Sequence, residues 1–148
     1  MHDNDEMYEG SERRFALELF IVHPTIEPLI IERALGLMGT HVHRVGDQRT
    51  TAIGKMMPGK YPDTRWRYSK RYTVSDEWFV YELDEFLSQI EICKQFLWSL
   101  RDSGGKVYLN INFLGDGYFG DVISTSTLKK ILDLGLDLGL AVYVVPQN

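Results

Sequence analysis

The sequence predicts a single α+β domain: a mainly antiparallel or mixed sheet of about five strands with about three helices packed on it. Three observations carry this expectation. Stretches in which apolar and polar residues alternate, rich in aromatic and β-branched side chains, recur along the chain. Apolar stripes at helical spacing separate them. A length of 148 residues, 44% of them hydrophobic and 12% aromatic, suits one domain with one buried core.

Residues 1–12 are acidic and polar and read as a disordered or loosely attached tail, leaving 13–148 as the domain. From Phe15 to Val22 the run FALELFIV is nearly all apolar, which predicts a strand buried on both faces or nearly so. His23-Pro24 ends it, since proline cannot donate to a strand ladder and restricts the residue before it. Thr25 then supplies an N-cap for a helix to about Leu37, with Ile26, Leu29, Ile30, Ala34, Leu37 and Met38 on one stripe. Gly36 or Gly39 supplies its stop. Thr40–Val45 and Thr64–Val74 alternate as strands, and Gly54, Pro58, Gly59 and Pro62 between them mark a loop or irregular hairpin end. Trp78–Leu83 suits a short strand or an early helical turn equally. From Asp84 the spacing is helical, with Phe86, Leu87, Ile90, Cys93, Leu97 and Leu100 on the core face and Gly104-Gly105 as the end. Lys106–Leu114 is a strand, Thr125 or Ser126 caps a helix over Leu128–Leu138, and Leu140–Val145 closes the chain as a strand.

Several classes of protein are disfavoured. No apolar run reaches the roughly 18 residues of a membrane helix. The acidic first dozen residues reverse the pattern of a secretory signal, so a cytoplasmic location is expected. Cys93 is the single cysteine, which excludes an internal disulfide and a cysteine-based metal cluster, and its apolar helical setting predicts a small buried thiol.

Charge is unevenly distributed. Between Thr40 and Tyr72 lie eight Lys or Arg residues and only two carboxylates, Asp47 and Asp63, whereas the rest of the chain carries eight basic and 19 acidic residues. A net charge of −5 therefore conceals a basic central segment able to attract an anion or an acidic partner. Arg44, Arg49, Lys55, Lys60, Arg65 and Arg67 supply the charge, Trp66 stands beside the arginines, and His23 is positioned to line the same cleft. In TRWRYSKRY, Arg65, Arg67 and Ser69 share one strand face and Trp66, Tyr68 and Lys70 the other. The competing account pairs those arginines with the acidic remainder and puts Trp66 and Tyr68 in the core. The acidic flanks make nucleic acid an unlikely partner.

Two phosphate-binding look-alikes fail in context. Gly54–Lys60 (GKMMPGK) matches seven positions of a P-loop, but Tyr61 replaces the magnesium-binding hydroxyl and Pro62 opposes the required helix. Gly115–Gly120 (GDGYFG) spells a dinucleotide fingerprint, but the helix caps lie five or six residues late and no carboxylate ends the next strand. His41-Val42-His43 places two imidazoles on one strand face, with His23 or Asp47 needed to complete a metal site, and solvent-facing histidines are the default. No serine elbow is present, and no pair of carboxylates is spaced for acid–base work. No catalytic residue, cofactor or metal is assigned.

His23-Pro24, Leu35-Gly36-Leu37, Gly46-Asp47-x-Arg49-Thr50, Gly54-Lys55, Trp66-x-Tyr68-Ser69 and the closing Leu136–Tyr143 segment occur in the order seen in the bacterial family known as domain of unknown function 4279. The chain resembles that family over about residues 15–145. The resemblance implies a small α+β bacterial protein and transfers no catalytic residues. By analogy of size and fold, it allows an immunity-like protein that neutralises a toxin partner. The expectation is a non-catalytic interaction protein binding a protein partner. The alternative is a small anionic ligand, phosphorylated or nucleotide, held by the basic segment 44–71.

Overall fold

The computed structural model describes residues 14–73, 79–115 and 120–144. The strands are β1 (Arg14–His23), β2 (His41–His43), β3 (Gln48–Thr50), β4 (Met56–Lys60), β5 (Thr64–Thr73), β6 (Lys106–Gly115) and β7 (Asp137–Val144). The helices are α1 (Pro28–Leu35), α2 (Phe79–Ile90), α3 (Lys94–Asp102) and α4 (Thr125–Asp133), with one 3-10 turn, Glu91–Cys93, joining α2 to α3. Five strands form a mixed sheet in the order β2-β5-β1-β6-β7, and β3 and β4 make a separate two-stranded hairpin. All neighbours in the large sheet are antiparallel except β6 and β7, which run parallel through the α4 crossover. This is the α+β architecture the alternation predicts.

Strict alternation in β1 and β6 sends Phe15, Leu17, Leu19, Ile21, Val107, Leu109, Ile111 and Phe113 into the core. Trp66 joins them from β5, and Leu83, Leu87, Leu97, Leu100 and Leu134 descend from the helices. Burying such side chains stabilises by about 1.5–3 kcal/mol each before the entropy of ordering is counted. The expected core face Phe86, Leu87, Ile90, Cys93, Leu97 and Leu100 is buried throughout, carried across the 3-10 turn without losing phase. Burial pushes the Cys93 thiol above its ordinary pKa, and Cys93 Sγ lies 3.5 Å from the Ala34 carbonyl.

Four features differ from expectation. β1 is buried on one face only: its even-numbered residues Ala16, Glu18, Phe20 and Val22 are half-buried on the other. Thr25 does not cap α1: the N-cap position is Glu27, which makes no side-chain cap hydrogen bond, and the helix begins at Pro28, whose missing N–H costs nothing in a first turn. Ile31 and Leu35 consequently face the core, while Leu29, Ile30 and Met38 are exposed. α4 starts one residue after a Ser124 cap and stops at Asp133, where Gly135 turns with φ +68°. β7 therefore begins three residues earlier than predicted. The α2 assignment resolves residues 79–83 as helix; Trp78, the tail 1–12 and residues 116–119 of the second glycine motif lie outside the described residues.

Candidate binding face

Because the helical residues of the core lie on one side of the sheet, the even positions of β1 and β6 and the odd positions of β5 share the opposite side. The register aligns Glu18 between Ser69 and Asn110, Phe20 between Arg67 and Tyr108, and Val22 between Arg65 and Lys106. No helix covers this side among the described residues.

Its centre is rigidly built. Glu18 Oε1 accepts from Arg67 Nη1 at 2.9 Å and from Asn110 Nδ2 at 3.0 Å, and Oε2 accepts from Ser69 Oγ at 3.2 Å. The Arg67 guanidinium lies 3.7 Å over the Phe20 ring, and Phe20 stacks on Tyr108 at 5.7 Å. A half-buried carboxylate with three donors, and a cation over an aromatic face, fix these side chains before anything binds. Gly139 on β7 leaves room for Asn110: a Cβ there would fall 2.2 Å from Asn110 Oδ1.

Two grooves flank the centre. One, of about 690 Å³, is floored by Phe20 and Tyr108 and rimmed by Pro24, Pro62, Arg65 and Lys106. The other, of about 490 Å³, is lined by Ala16, Glu18, Ser69, Arg71, Asn112 and Tyr143. Arg65 is paired with Asp63 at 3.0 Å, but neither Lys106 nor Arg71 has a carboxylate partner among the described residues, and both are exposed. The face therefore presents unneutralised cations beside a preformed aromatic floor.

The eight residues singled out from the sequence do not converge. Arg65 and Arg67 lie on this face. Trp66, between them, points the other way, is fully buried, and donates Nε1 to Glu32 Oε2 at 3.5 Å. His23 is 5% exposed on the helical side, so alternation removes both from any surface site. Arg44 is held by Glu27 (Nε to Oε2 2.6 Å, Nη2 to Oε1 2.8 Å) and by Asp47 at 3.3 Å. Those hydrogen bonds hold the Glu27 carboxyl below its ordinary value and raise the Arg44 guanidinium above its own. Arg49, Lys55 and Lys60 sit on the β3–β4 hairpin, with Arg49 Nη1 3.5 Å from the Pro58 carbonyl. That hairpin also disposes of the P-loop look-alike: Gly54 turns at φ +85° between Thr51 and Lys55, with no helix following. His43 stacks on Tyr61 at 4.2 Å, and the described residues contain no cluster of three metal-binding side chains.

Sequence reasoning missed Glu18, Phe20, Lys106, Tyr108 and Asn110. The alternation of KVYLNINFL held the signal for the last three, since polar residues at every second position need a solvent side. Phe20 carried none, because it sits inside a continuous apolar run. No described helix is long and apolar enough to cross a membrane. Comparison with curated proteins and with solved structures gives no match. A family model does match, over residues 13–145: the chain belongs to the family described as Domain of unknown function (DUF4279).

Proposed function

We propose that this chain is a non-catalytic binding protein of the bacterial cytoplasm, and that the helix-free side of its sheet receives an acidic segment of a protein partner. The observation that carries this reading is the pair of unneutralised cations, Lys106 and Arg71, at the two ends of a face fixed by Glu18, Arg67 and Phe20. Glu18 spends its oxygens on internal donors, which suits recognition better than proton transfer. An immunity-like role, in which the face masks an acidic surface of a toxin, is one form of the same reading.

The test is capture from the parent cells, followed by binding measurements with the purified partner. Reversing Lys106 and Arg71 together (Lys106→Glu, Arg71→Glu) should weaken binding by about tenfold or more, with the melting temperature unchanged. Affinity should fall as salt rises through the Debye-screening range. Lys55→Glu with Lys60→Glu on the hairpin should change little. The reverse pattern, with the hairpin variant inactive and the sheet variant normal, would overturn the assignment.

A second reading follows from the groove between Arg65 and Lys106, whose aromatic floor suits a small anionic ligand with a ring, such as a nucleotide. In that case a hundredfold excess over the dissociation constant adds about 2.7 kcal/mol of stability, and Lys106→Ala removes the shift. A panel of nucleotides and phosphorylated metabolites that leaves the wild-type melting temperature unmoved excludes it.

A further inference from the structure

The two edges of the large sheet are protected very differently. β2 is three residues long and is followed directly by Arg44. Short, charged edges resist pairing with another chain. β7 is eight residues long and, from Leu138 to Val144, contains no charge and no proline. It has no partner on its outer side among the described residues. Its even-numbered side chains, Leu138, Leu140, Val142 and Val144, are between 38% and 74% exposed. On α4, Lys130 reaches α2 by donating to Asp84 at 3.0 Å, which turns the opposite flank, with Leu128 and Leu132, away from α2. Both leucines are exposed. An open strand backbone and an adjacent apolar stripe therefore occupy one edge of the molecule.

We propose that two copies of this chain join through β7, antiparallel about a twofold axis at Ala141. Opposed residues in an antiparallel pair project to the same side, so keeping both sets of helices on one side requires even positions to meet even ones. With the axis at Ala141, Leu138 meets the partner's Val144 and Leu140 meets the partner's Val142 on the helical side. On the other side Tyr143 covers the partner's Gly139, and Ala141 meets itself. All seven residues from Leu138 to Val144 are paired, and Asp137 stays outside the ladder. Such an edge carries no charge with which to select a different partner, yet it is complementary to itself. Leu128 and Leu132 extend the exposed apolar surface of the strand toward the roughly 800 Å² per partner that a standard interface needs. The product is a continuous ten-stranded sheet that sets the two basic faces side by side.

Light scattering of the full chain over a concentration series tests this. The wild type should have twice the 17.1 kDa mass of one chain. Leu140→Lys and Val142→Lys, at exposed positions, should each be monomeric with near-normal melting temperatures, a loss of about a hundredfold or more in association. Ala141→Cys should form a covalent dimer on mild oxidation, because Cα atoms of opposed residues lie within reach of a disulfide. His41→Cys, on the other edge, should not. A wild type that is monomeric at every concentration, a dimer surviving both lysine variants, or an Ala141→Cys protein that never cross-links would each overturn the proposal. So would a chain that dimerises only after removal of residues 1–13, which would assign the β7 edge to that segment.

Discussion

Trp66→Ala is expected to remove about 3–5 kcal/mol of stability, the range for truncating a large aromatic in a packed core. Against a total of about 5–15 kcal/mol for an ordinary domain, that leaves a substantial unfolded fraction. The effect is large because Trp66 is fully buried in the middle of β5 and also organises the chain after α1. Its Nε1 shares Glu32 Oε2 with the Gly39 N–H, and Gly39 packs so closely on the indole that a Cβ there would lie 2.5 Å from Nε1. Truncation leaves a cavity and loosens the segment leading into β2. Lys106→Ala, on the other side of the sheet, should stay within about 0.5 kcal/mol of wild type. Urea denaturation of the two variants separates the core from the proposed binding face. A Trp66→Ala protein of normal stability that fails to bind its partner would return Trp66 to the site.

The contrast between those two residues shows what the sequence made legible. Alternation in Thr64–Thr73 and Lys106–Gly115 gave both strands nearly to the residue, and the helical stripe from Phe86 to Leu100 gave the core face of α2 and α3. Several residues that carry the family resemblance serve architecture: Gly36, Gly46 and Gly54 turn with φ of +67°, +84° and +85°, and His23 and Trp66 are buried, whereas Ser69 and Tyr143 line the second groove. The proposed binding face was not legible in the sequence because it is composite. Phe20, Arg67 and Tyr108 come from three strands far apart in the chain and meet only through register, which no local pattern encodes. The apolar run of β1 concealed its second side for a related reason: Phe20 is covered by a guanidinium instead of a helix, and an apolar letter does not tell the two apart. The α4–β7 boundary failed because leucines and glycines between Leu134 and Leu140 fit either period. The left-handed Gly135, locked by Arg101 Nη1 on its carbonyl at 2.8 Å, decides it.

Acidification just below pH 6.5 is expected to destabilise the protein through His23. Nδ1 accepts the N–H groups of Thr25 at 3.1 Å and Ile26 at 3.0 Å, so it carries no proton; Nε2 holds the hydrogen and donates to Ser103 Oγ at 2.8 Å. Ser103 Oγ in turn donates to the Ser99 carbonyl at 2.7 Å. Protonation would turn Nδ1 into a donor facing two donors, and burial already holds the imidazole below its ordinary pKa. Above about pH 6.5 the ring is neutral in both folded and unfolded chains, and the full contribution is present. As pH falls below that value the unfolded chain takes up a proton that the folded chain refuses, so stability declines until the lower folded pKa is passed. The slope approaches about 1.4 kcal/mol per pH unit at its steepest. Carboxylates held low by lysine hydrogen bonds, such as Asp84 and Asp133, act only below about pH 4, outside this window. His23→Asn is the discriminating variant, since its Oδ1 can take the place of Nδ1 toward both amides without titrating. Between pH 5 and 6.5 the wild type should lose stability where His23→Asn does not; His41 and His43, present in both, cancel in the comparison. His23→Ala, which strands two amides, should cost roughly 1–3 kcal/mol per unsatisfied group at any pH. Parallel pH profiles for wild type and His23→Asn would show instead that the ring does not hold this corner in its neutral form.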